Sequence, residues 1–357
     1  MSLLGVEVLK IVQGALAAFE MPGLVVAATR GDEPPETLVV GVDDAGLPLS
    51  RNSLFPVASV TKLATALAVL RLVDAGAVGL DDPLARFLPD AASAQPGVTV
   101  RKLLCHTSGL PIDLPAEAAP YAPGLDWPTL ARGCVAASLE TPPDERVQYS
   151  NVGYGLLAVL VERVTGQVFS AALAALVLDP LGVEGYLGVE PPRQPARVRG
   201  VRSRHRGTHL EPFNSAFWRS LAFPWAGLLT NAEGALRLVQ AYRGRPRRFL
   251  SAGLADTAAR DATGGLSGGF GGPLRWQPCP WALGPEVHGA KTPYWAPPEA
   301  SPPSFGHSGA SGALAWADPE ADVAWVILGT RTGDGGWMLH AAPGIGARLL
   351  AAGALLA

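Results

Sequence analysis

A serine, a lysine and a tyrosine in this sequence could together attack a carbonyl compound. Ser59 precedes Lys62 by three residues, and a strongly helical run begins at Leu63. Residues three apart on a helix share a face, so the two side chains point into the same space. A lysine whose pKa is lowered by burial can take the proton of a serine hydroxyl, which is otherwise a weak nucleophile. The partial positive charge of the helix N-terminus would stabilise the oxyanion that forms there.

A second polar motif, Gln148-Tyr149-Ser150-Asn151, stands before another apolar run that is typical of a helix. Ser150 or Asn151 is a good N-cap for that helix, which is an ordinary structural reason for both residues. The N-cap interpretation leaves Tyr149 without a role. A phenol beside an ammonium group can be held as a phenolate, or can pass a proton between a serine and a leaving group.

A third motif, Gly306-His307-Ser308-Gly309-Ala310, precedes a buried strand that is predicted from residue 313 onwards. Glycines let a ligand approach the backbone closely, and backbone N–H groups in such a segment can bind an oxyanion. A plain glycine-rich turn before a strand is the competing interpretation.

In this order, the three motifs resemble the signature of the serine β-lactamase and penicillin-binding-protein superfamily, which is S-x-x-K, S-D-N and K-T-G. The middle element, Tyr149-Ser150-Asn151, is similar to the Tyr-x-Asn form of the class C branch. The resemblance covers roughly residues 20 to 335. The supporting segments are Phe55 through Lys62, Val100 through Leu110, Tyr149 through Gly166, Pro180 through Gly182, and Phe305 through Gly309.

The resemblance implies a role for each matching position. Ser59 would be the acylated nucleophile, Lys62 its close basic partner, and Tyr149 a general base and proton relay. The motifs leave open whether Tyr149 or Lys62 is the general base. The implied substrate-binding groups are Asn151, His307 and Gly309, together with the backbone N–H groups of Ser59 and Ala310 as an oxyanion hole. The resemblance implies neither a metal nor an organic cofactor.

His307 departs from the family pattern, because many members carry a lysine there. Lysine is a permanent cation suited to a substrate carboxylate, whereas histidine is charged only below about pH 6.5. We therefore expect a serine hydrolase that acts through an acyl-enzyme on a small ester or amide. The alternatives are a class C-like β-lactamase, a D-alanyl-D-alanine carboxypeptidase, or a penicillin-binding sensor or scaffold without turnover.

Strand patterns lie near both ends of the chain, at 24–29, 37–42, 313–317 and 323–329, and helical patterns dominate between them. This order predicts an α+β fold of the β-lactamase/transpeptidase type, with an antiparallel sheet built from both termini, flanking helices and an inserted helical subdomain. We expect residues 1–357 to form one unit. Its subdomains would be about 1–58 plus 265–357, and about 59–264.

The composition of the chain limits the kinds of molecule that it is expected to bind. The chain has a net charge of −3 and is 48% hydrophobic, which favours a small-molecule substrate over nucleic acid or an anionic membrane. No apolar run reaches the length of about 18 residues that a membrane span needs. The three cysteines and the amphipathic N-terminus predict a cytoplasmic location. The oligomeric state does not follow from the sequence.

Several other features are weaker candidates for a site. Gly265-Leu-Ser-Gly-Gly269 fits G-x-S-x-G, but Ser267 lacks the strand before it and the helix after it that a nucleophile elbow needs. His205 and His209 lack the glutamate of a zinc motif, and His106 is expected to be structural. The tryptophans of the later part of the chain are expected in the core, with one or two walling an apolar acyl pocket: Trp218, Trp225, Trp276, Trp281 and Trp295.

Overall fold

The computed structural model describes residues 2–355 of the chain. Its α-helices are, in chain order, α1 Val6–Ala18, α2 Thr61–Asp74, α3 Val100–Leu104, α4 Trp127–Ala136, α5 Asn151–Thr165, α6 Phe169–Leu173, α7 Asp179–Leu181, α8 Ala216–Ser220, α9 Ala232–Ala241, α10 Ala252–Ala258, α11 Trp337–His340 and α12 Ala342–Ala354. Short 3₁₀ turns cover Ala58–Val60, Leu84–Arg86 and Gly333–Gly335, and a π-helical turn at Ala174–Leu178 joins α6 to α7.

The strands fall into one large and two small sheets. They are β1 Gly23–Arg30, β2 Glu36–Gly41, β3 Phe55–Pro56, β4 Val147–Gln148, β5 Gly185–Tyr186, β6 Leu229–Thr230, β7 Gly268–Gly271, β8 Leu274–Trp276, β9 Glu286–Val287, β10 Phe305–Gly309, β11 Ala313–Asp318 and β12 Val323–Gly329. The large sheet has the order β2-β1-β12-β11-β10-β9, and the small sheets are β3-β6-β5 and β4-β7-β8.

The two ends of the chain meet in the centre of the large sheet. Strands β1 and β12 are antiparallel neighbours, with Leu24 opposite Gly329 and Arg30 opposite Val323. The other strand pairs of this sheet are antiparallel as well. The predicted α+β fold, with a sheet built from both termini, is therefore confirmed.

Side chains alternate between the two faces of the sheet, as the period of two along a strand requires. On β1, Leu24 and Val26 belong to a core with α1 and α12, whereas Val25 and Ala27 belong to a core with α2 and α9. On β11, Trp316 fills the first core and small alanines face the second. The helical half of the molecule packs against this second face mainly through α9, which lies on β1, β11 and β12, while α2 approaches β10.

The glycine- and proline-rich part of the chain differs from its prediction. Its abundance of glycine, proline and tryptophan predicts loops at 264–303, with a short strand near Trp281-Ala-Leu-Gly284. The structure instead forms the β7–β8 hairpin and places β9 at Glu286–Val287, while Trp281 makes only an isolated bridge to Glu286. The sequence does not predict strand β7, because a glycine-rich segment lacks the side-chain pattern of a strand. A Cβ on Gly268 would lie 1.9 Å from the Val147 carbonyl oxygen, so the close pairing with β4 requires a glycine.

By length and composition, no single described helix is suited to crossing a membrane. The segments Asn151–Thr165 and Phe169–Leu181 are long and apolar enough only when they are taken together, and the chain bends by 83° between them. Among residues 2–355, no group of three or more histidine, cysteine or acidic side chains is arranged to hold a metal ion.

Candidate active site

Ser59 lies in a short 3₁₀ turn between strand β3 and helix α2. The residue before it, Ala58, has a φ of +44°, a backbone conformation that costs energy for any residue except glycine. The surrounding structure holds this turn in place. The Val57 N–H donates to the Leu228 carbonyl at 3.1 Å, and the Leu228 N–H donates to the Thr61 hydroxyl at 3.1 Å.

Lys62 occupies the first turn of α2 and is fully buried. Its Nζ donates to the Asn151 side-chain oxygen at 2.6 Å and to the Trp225 carbonyl at 3.0 Å. The same Nζ lies 3.5 Å from Ser59 Oγ, at the outer limit of a hydrogen bond. The amine therefore faces the serine, as the i, i+3 spacing predicts.

Burial moves the pKa of Lys62 well below its ordinary range, because a charged ammonium loses its hydration there. The carboxylates of Asp113 and Glu286 raise this pKa but do not cancel the effect of burial. A lysine in this environment spends more of its time as a free amine. A free amine is the form that can accept a proton from Ser59.

Tyr149 follows strand β4 and stands over the lysine, with Lys62 Nζ 4.5 Å from the centre of its ring. Its hydroxyl is buried and makes no hydrogen bond of ordinary geometry with any residue between 2 and 355. Burial raises the pKa of this phenol well above its ordinary range, and the nearby Ser59 hydroxyl lowers it by less. The resting form of Tyr149 is therefore the neutral phenol, not the phenolate.

Asn151, the first residue of α5, links the lysine to the rim of the site. Its side-chain oxygen accepts from Lys62, and its Nδ2 donates to the Asp113 carboxylate at 2.6 Å. The start of α5 is capped by Ser150, whose Oγ accepts from the Gly153 N–H at 2.9 Å. The N-cap interpretation therefore holds for Ser150, and Asn151 remains free to contact the lysine.

His106 lies directly behind Tyr149 and supports it. Its Nδ1 accepts a hydrogen bond from the Ser150 N–H at 3.0 Å, and its ring centre is 4.7 Å from the rings of both Tyr149 and Trp281. Burial lowers the pKa of His106 well below its ordinary value, so the ring is neutral. The contacts are those of a structural residue that positions Tyr149.

The other flank of the site is strand β10, which carries His307. This side chain is fully buried, and burial lowers its pKa to about 3. Its Nδ1 donates to the Ser308 carbonyl at 2.7 Å, which leaves the lone pair on Nε2. His307 is therefore a neutral ring, 6.1 Å from the ring of Tyr149 between centres, and cannot replace a cationic lysine.

The end of β10 approaches the serine turn so closely that only glycine fits. A Cβ on Gly309 would lie 2.3 Å from the Val57 carbonyl oxygen. The next residue, Ala310, lines the same cavity as Ser59. No acceptor among residues 2–355 takes a hydrogen bond from the backbone N–H of Ser59 or of Ala310.

A buried acidic network behind β10 was not predicted from the sequence. Glu286 accepts hydrogen bonds from the Ser308 N–H at 3.2 Å, the Ser308 hydroxyl at 3.3 Å and the Tyr294 hydroxyl at 2.5 Å. Its Oε1 is 3.5 Å from Nδ1 of His307. The Tyr294 hydroxyl in turn lies 3.5 Å from Nζ of the buried Lys291. Burial raises the pKa of Glu286 to about 7, although the Lys291 ammonium and these hydrogen bonds lower it.

Ser59 opens onto a cavity of about 510 Å³. One wall is aromatic and includes two of the five tryptophans considered above, Trp218 and Trp225. The other three, Trp276, Trp281 and Trp295, lie in the core around the sheet. A larger groove of about 960 Å³ lies elsewhere, between the 242–260 segment and residues 303–322. That groove contains none of the predicted catalytic residues, so the smaller cavity is the candidate substrate site.

Comparison with known proteins decides the family. The family model described as Beta-lactamase matches residues 8–345. The chain belongs to the β-lactamase family. Esterase EstB of Burkholderia gladioli is 35% identical over 286 residues, 70% of this chain and 72% of that protein. Penicillin-binding protein 4 of Amycolatopsis lactamdurans is 30% identical over 283 residues, 75% of this chain and 68% of that protein.

Solved structures of β-lactamase-like proteins share the fold. A β-lactamase from Mycobacterium bovis has 28% sequence identity and a TM-score of 0.67, with 96% of this chain and 99% of that chain covered. A hydrolase described as having promiscuous acyltransferase activity, EstCE1, has a TM-score of 0.71 at 22% identity, covering 94% of this chain and 98% of its own. Together with the family match, these likenesses make this β-lactamase family member a serine hydrolase with small-molecule substrates.

The weaker serine candidate falls outside the site. Ser267 lies directly before β7, and its carbonyl accepts from the Val147 N–H at 2.8 Å. A strand follows Ser267 where a nucleophile elbow needs a helix. Ser267 also does not line the cavity at Ser59.

The close approach of β10 to the serine turn generates the first prediction. Gly309→Ala places a methyl group against the Val57 carbonyl and pushes β10 away from Ser59. We expect kcat/KM for an ester to fall about a hundredfold, since such a displacement misaligns reacting groups. Gly14→Ala in α1 is the control, because a Cβ there meets nothing within 4 Å. Full activity of Gly309→Ala would show that the close approach does not matter for the reaction.

The raised pKa of Glu286 generates a prediction about stability. Its folded-state pKa of about 7 lies above the ordinary 4.5, so its contribution is complete below 4.5 and is lost as the pH rises through 7. Glu286→Gln removes this pH-dependent contribution to the free energy of unfolding. We expect the fall in Tm between about pH 5.5 and 8.5 to be at least about 2 °C smaller in the variant. Glu299→Gln, on the exposed surface, should behave as the parent; equal slopes in all three proteins would contradict the prediction.

Proposed function

We propose that the protein hydrolyses small esters or amides that carry no carboxylate, through an acyl-enzyme on Ser59. The observation that carries this proposal is the cluster of Ser59, Lys62 and Tyr149 at a cavity whose described lining contains no lysine or arginine. The catalytic groups are those that nucleophilic serine chemistry needs. The surroundings are unsuited to a substrate anion.

In the acylation step, the Lys62 amine takes the proton of Ser59 while Oγ bonds to the substrate carbonyl carbon. The lowered pKa of Lys62 and its distance of 3.5 Å from Ser59 Oγ support this choice of base. The negative charge moves to the carbonyl oxygen. The backbone N–H groups of Ser59 and Ala310 have no other acceptor and would donate to that oxygen.

Collapse of the tetrahedral intermediate breaks the bond to the leaving group, which needs a proton. Tyr149 is a neutral phenol beside both Lys62 and Ser59, so it can donate its proton to the leaving group and regain one from the Lys62 ammonium. Water then attacks the acyl-enzyme, and the same groups remove its proton. The bond to Ser59 Oγ breaks, Oγ takes back the proton that these groups removed from water, and the acid leaves with the serine hydroxyl and the Lys62 amine restored.

The neutral His307 supports a substrate without a carboxylate. A β-lactam or a D-alanyl-D-alanine peptide presents an anion, and desolvating it without a nearby cation is costly. His307 stays uncharged above a pH of about 3 because it is buried. The similarity to esterase EstB points in the same direction. We include in this proposal the predicted cytoplasmic location, because all three cysteines are buried and outside any disulfide.

The first test of this proposal locates the nucleophile. We expect a fluorophosphonate to label the parent protein at Ser59, and the Ser59→Ala variant to lose both labelling and ester hydrolysis. Ser267→Ala is the matched control and should keep both. Intact-protein mass spectrometry followed by peptide mapping identifies the adduct. An adduct at Ser267, or any adduct that survives Ser59→Ala, would refute the assignment.

The second test compares substrates in one preparation. We expect kcat/KM for p-nitrophenyl butyrate to exceed that for a chromogenic cephalosporin, since this ratio reports differential binding of the two transition states. A cephalosporin preference of a hundredfold, about 2.7 kcal/mol, would make the protein a β-lactamase instead. A single burst of product without a steady state would favour the sensor.

A further inference from the structure

The cavity at Ser59 has a continuous aromatic wall. Phe213 packs against Trp218 with ring centres 5.1 Å apart, and Trp218 packs against Phe223 at 6.1 Å. Phe223 continues the row to Trp225 at 5.1 Å. All four side chains line the cavity, as does Tyr121. The faces of aromatic rings carry negative electrostatic potential.

The cavity has one charged side chain in its described lining, and that side chain is acidic. Asp113 stands at the rim beside Ser59 and Asn151, and it is exposed to solvent. Its Oδ1 accepts from Asn151, whereas no donor among residues 2–355 takes up Oδ2. The free oxygen is therefore available to a ligand. Lys62 does not line the cavity, because its amine is buried and donates to Asn151 and to the Trp225 carbonyl.

From this arrangement we infer that the preferred substrate carries a positive charge on its acyl group, such as a substituted ammonium. The inference rests on the proposed function and names the substrate class of the same site. The aromatic wall from Phe213 to Trp225 would face the cationic group, and the Asp113 carboxylate would balance its charge.

Two physical effects favour such a cation over a neutral group of the same shape. Ammonium groups are attracted to aromatic faces, and this attraction strengthens where the cation is partly desolvated. A carboxylate within a few ångströms adds a Coulomb attraction that solvent weakens but does not remove. Both effects act against an anion. Shape alone would not distinguish a cationic, a neutral and an anionic acyl group of similar size, so charge is the property to test.

The experiment uses three p-nitrophenyl esters of similar acyl length on the full-length protein. Their acyl groups are 4-(trimethylammonio)butanoyl, its uncharged isostere 5,5-dimethylhexanoyl, and the anionic 4-carboxybutanoyl. Each kcat/KM is divided by the rate constant of hydroxide hydrolysis of the same ester, which removes differences in intrinsic reactivity. We expect the corrected value to be roughly tenfold higher for the cation than for the isostere, and lowest for the anion. The preference should weaken as salt screens the charges.

Two variants separate the charge of the site from general damage. Asp113→Asn keeps an acceptor for Asn151 but removes the charge, and should lower the cation-to-isostere ratio severalfold. Glu117→Gln makes the same change in net charge on the same exposed loop without lining the cavity, and should leave that ratio unchanged. Phe223→Leu should lower the ratio by removing one aromatic face. Because each ratio is measured within one protein, it is independent of the active fraction.

Each outcome has a distinct meaning. A corrected rate for the isostere or the anion that equals or exceeds that of the cation overturns the inference and leaves ester hydrolysis intact. An unchanged ratio in Asp113→Asn also overturns it, because the carboxylate would then not contact the cation. If no ester is hydrolysed and Ser59 is not labelled by a fluorophosphonate, the proposed function itself fails.

Discussion

The site depends on the burial of one amine. Lys62 has no exposed surface, and its acceptors come from α5 through Asn151 and from the segment before β6 through the Trp225 carbonyl. Three stretches far apart in sequence must therefore meet around one nitrogen. Burying an amine is costly in water-free surroundings, and the hydrogen bonds offset only part of that cost. The same cost lowers the pKa of Lys62. In the proposed mechanism this makes Lys62 the base for Ser59, which links the fold to reactivity.

The buried surroundings of this amine also keep the nearby histidine and tyrosine side chains uncharged. Burial lowers the pKa of His106 and His307, and raises that of Tyr149. The negative charge that remains behind β10 is on Glu286, whose pKa lies near neutrality. Its hydrogen bonds to Ser308 hold the strand next to Gly309. Glu286 is fully buried, so we expect it to act through the position of β10 and not through contact with a substrate.

Much of this arrangement could be predicted from sequence because its signals are local. The spacing of Ser59 and Lys62 follows from helix geometry alone, and the strand patterns at the two ends give the sheet. Asp113, Glu286 and Lys291 could not be predicted. Asp113 and Lys291 are single charged residues in irregular segments, and Glu286 begins the two-residue strand β9. The role of each depends on what packs against it. Strand β7 was missed for a related reason, since a glycine-rich strand has no side-chain pattern and is specified by its contact with β4.

In the proposed mechanism, catalysis and substrate choice depend on different parts of the chain. Ser59, Lys62, Tyr149 and the end of β10 are fixed by the cores on the two sides of the sheet. The cavity wall comes from the connecting segments 113–125 and 212–226, whose backbone is largely irregular. Such segments can change without disturbing the core that holds the catalytic groups. The relatives named as an esterase and a penicillin-binding protein fit this division, because one acyl-transfer site can serve different substrates when only its wall differs. If Ser59 is the nucleophile that we propose, the charge and shape of those two segments decide which acyl group reaches it.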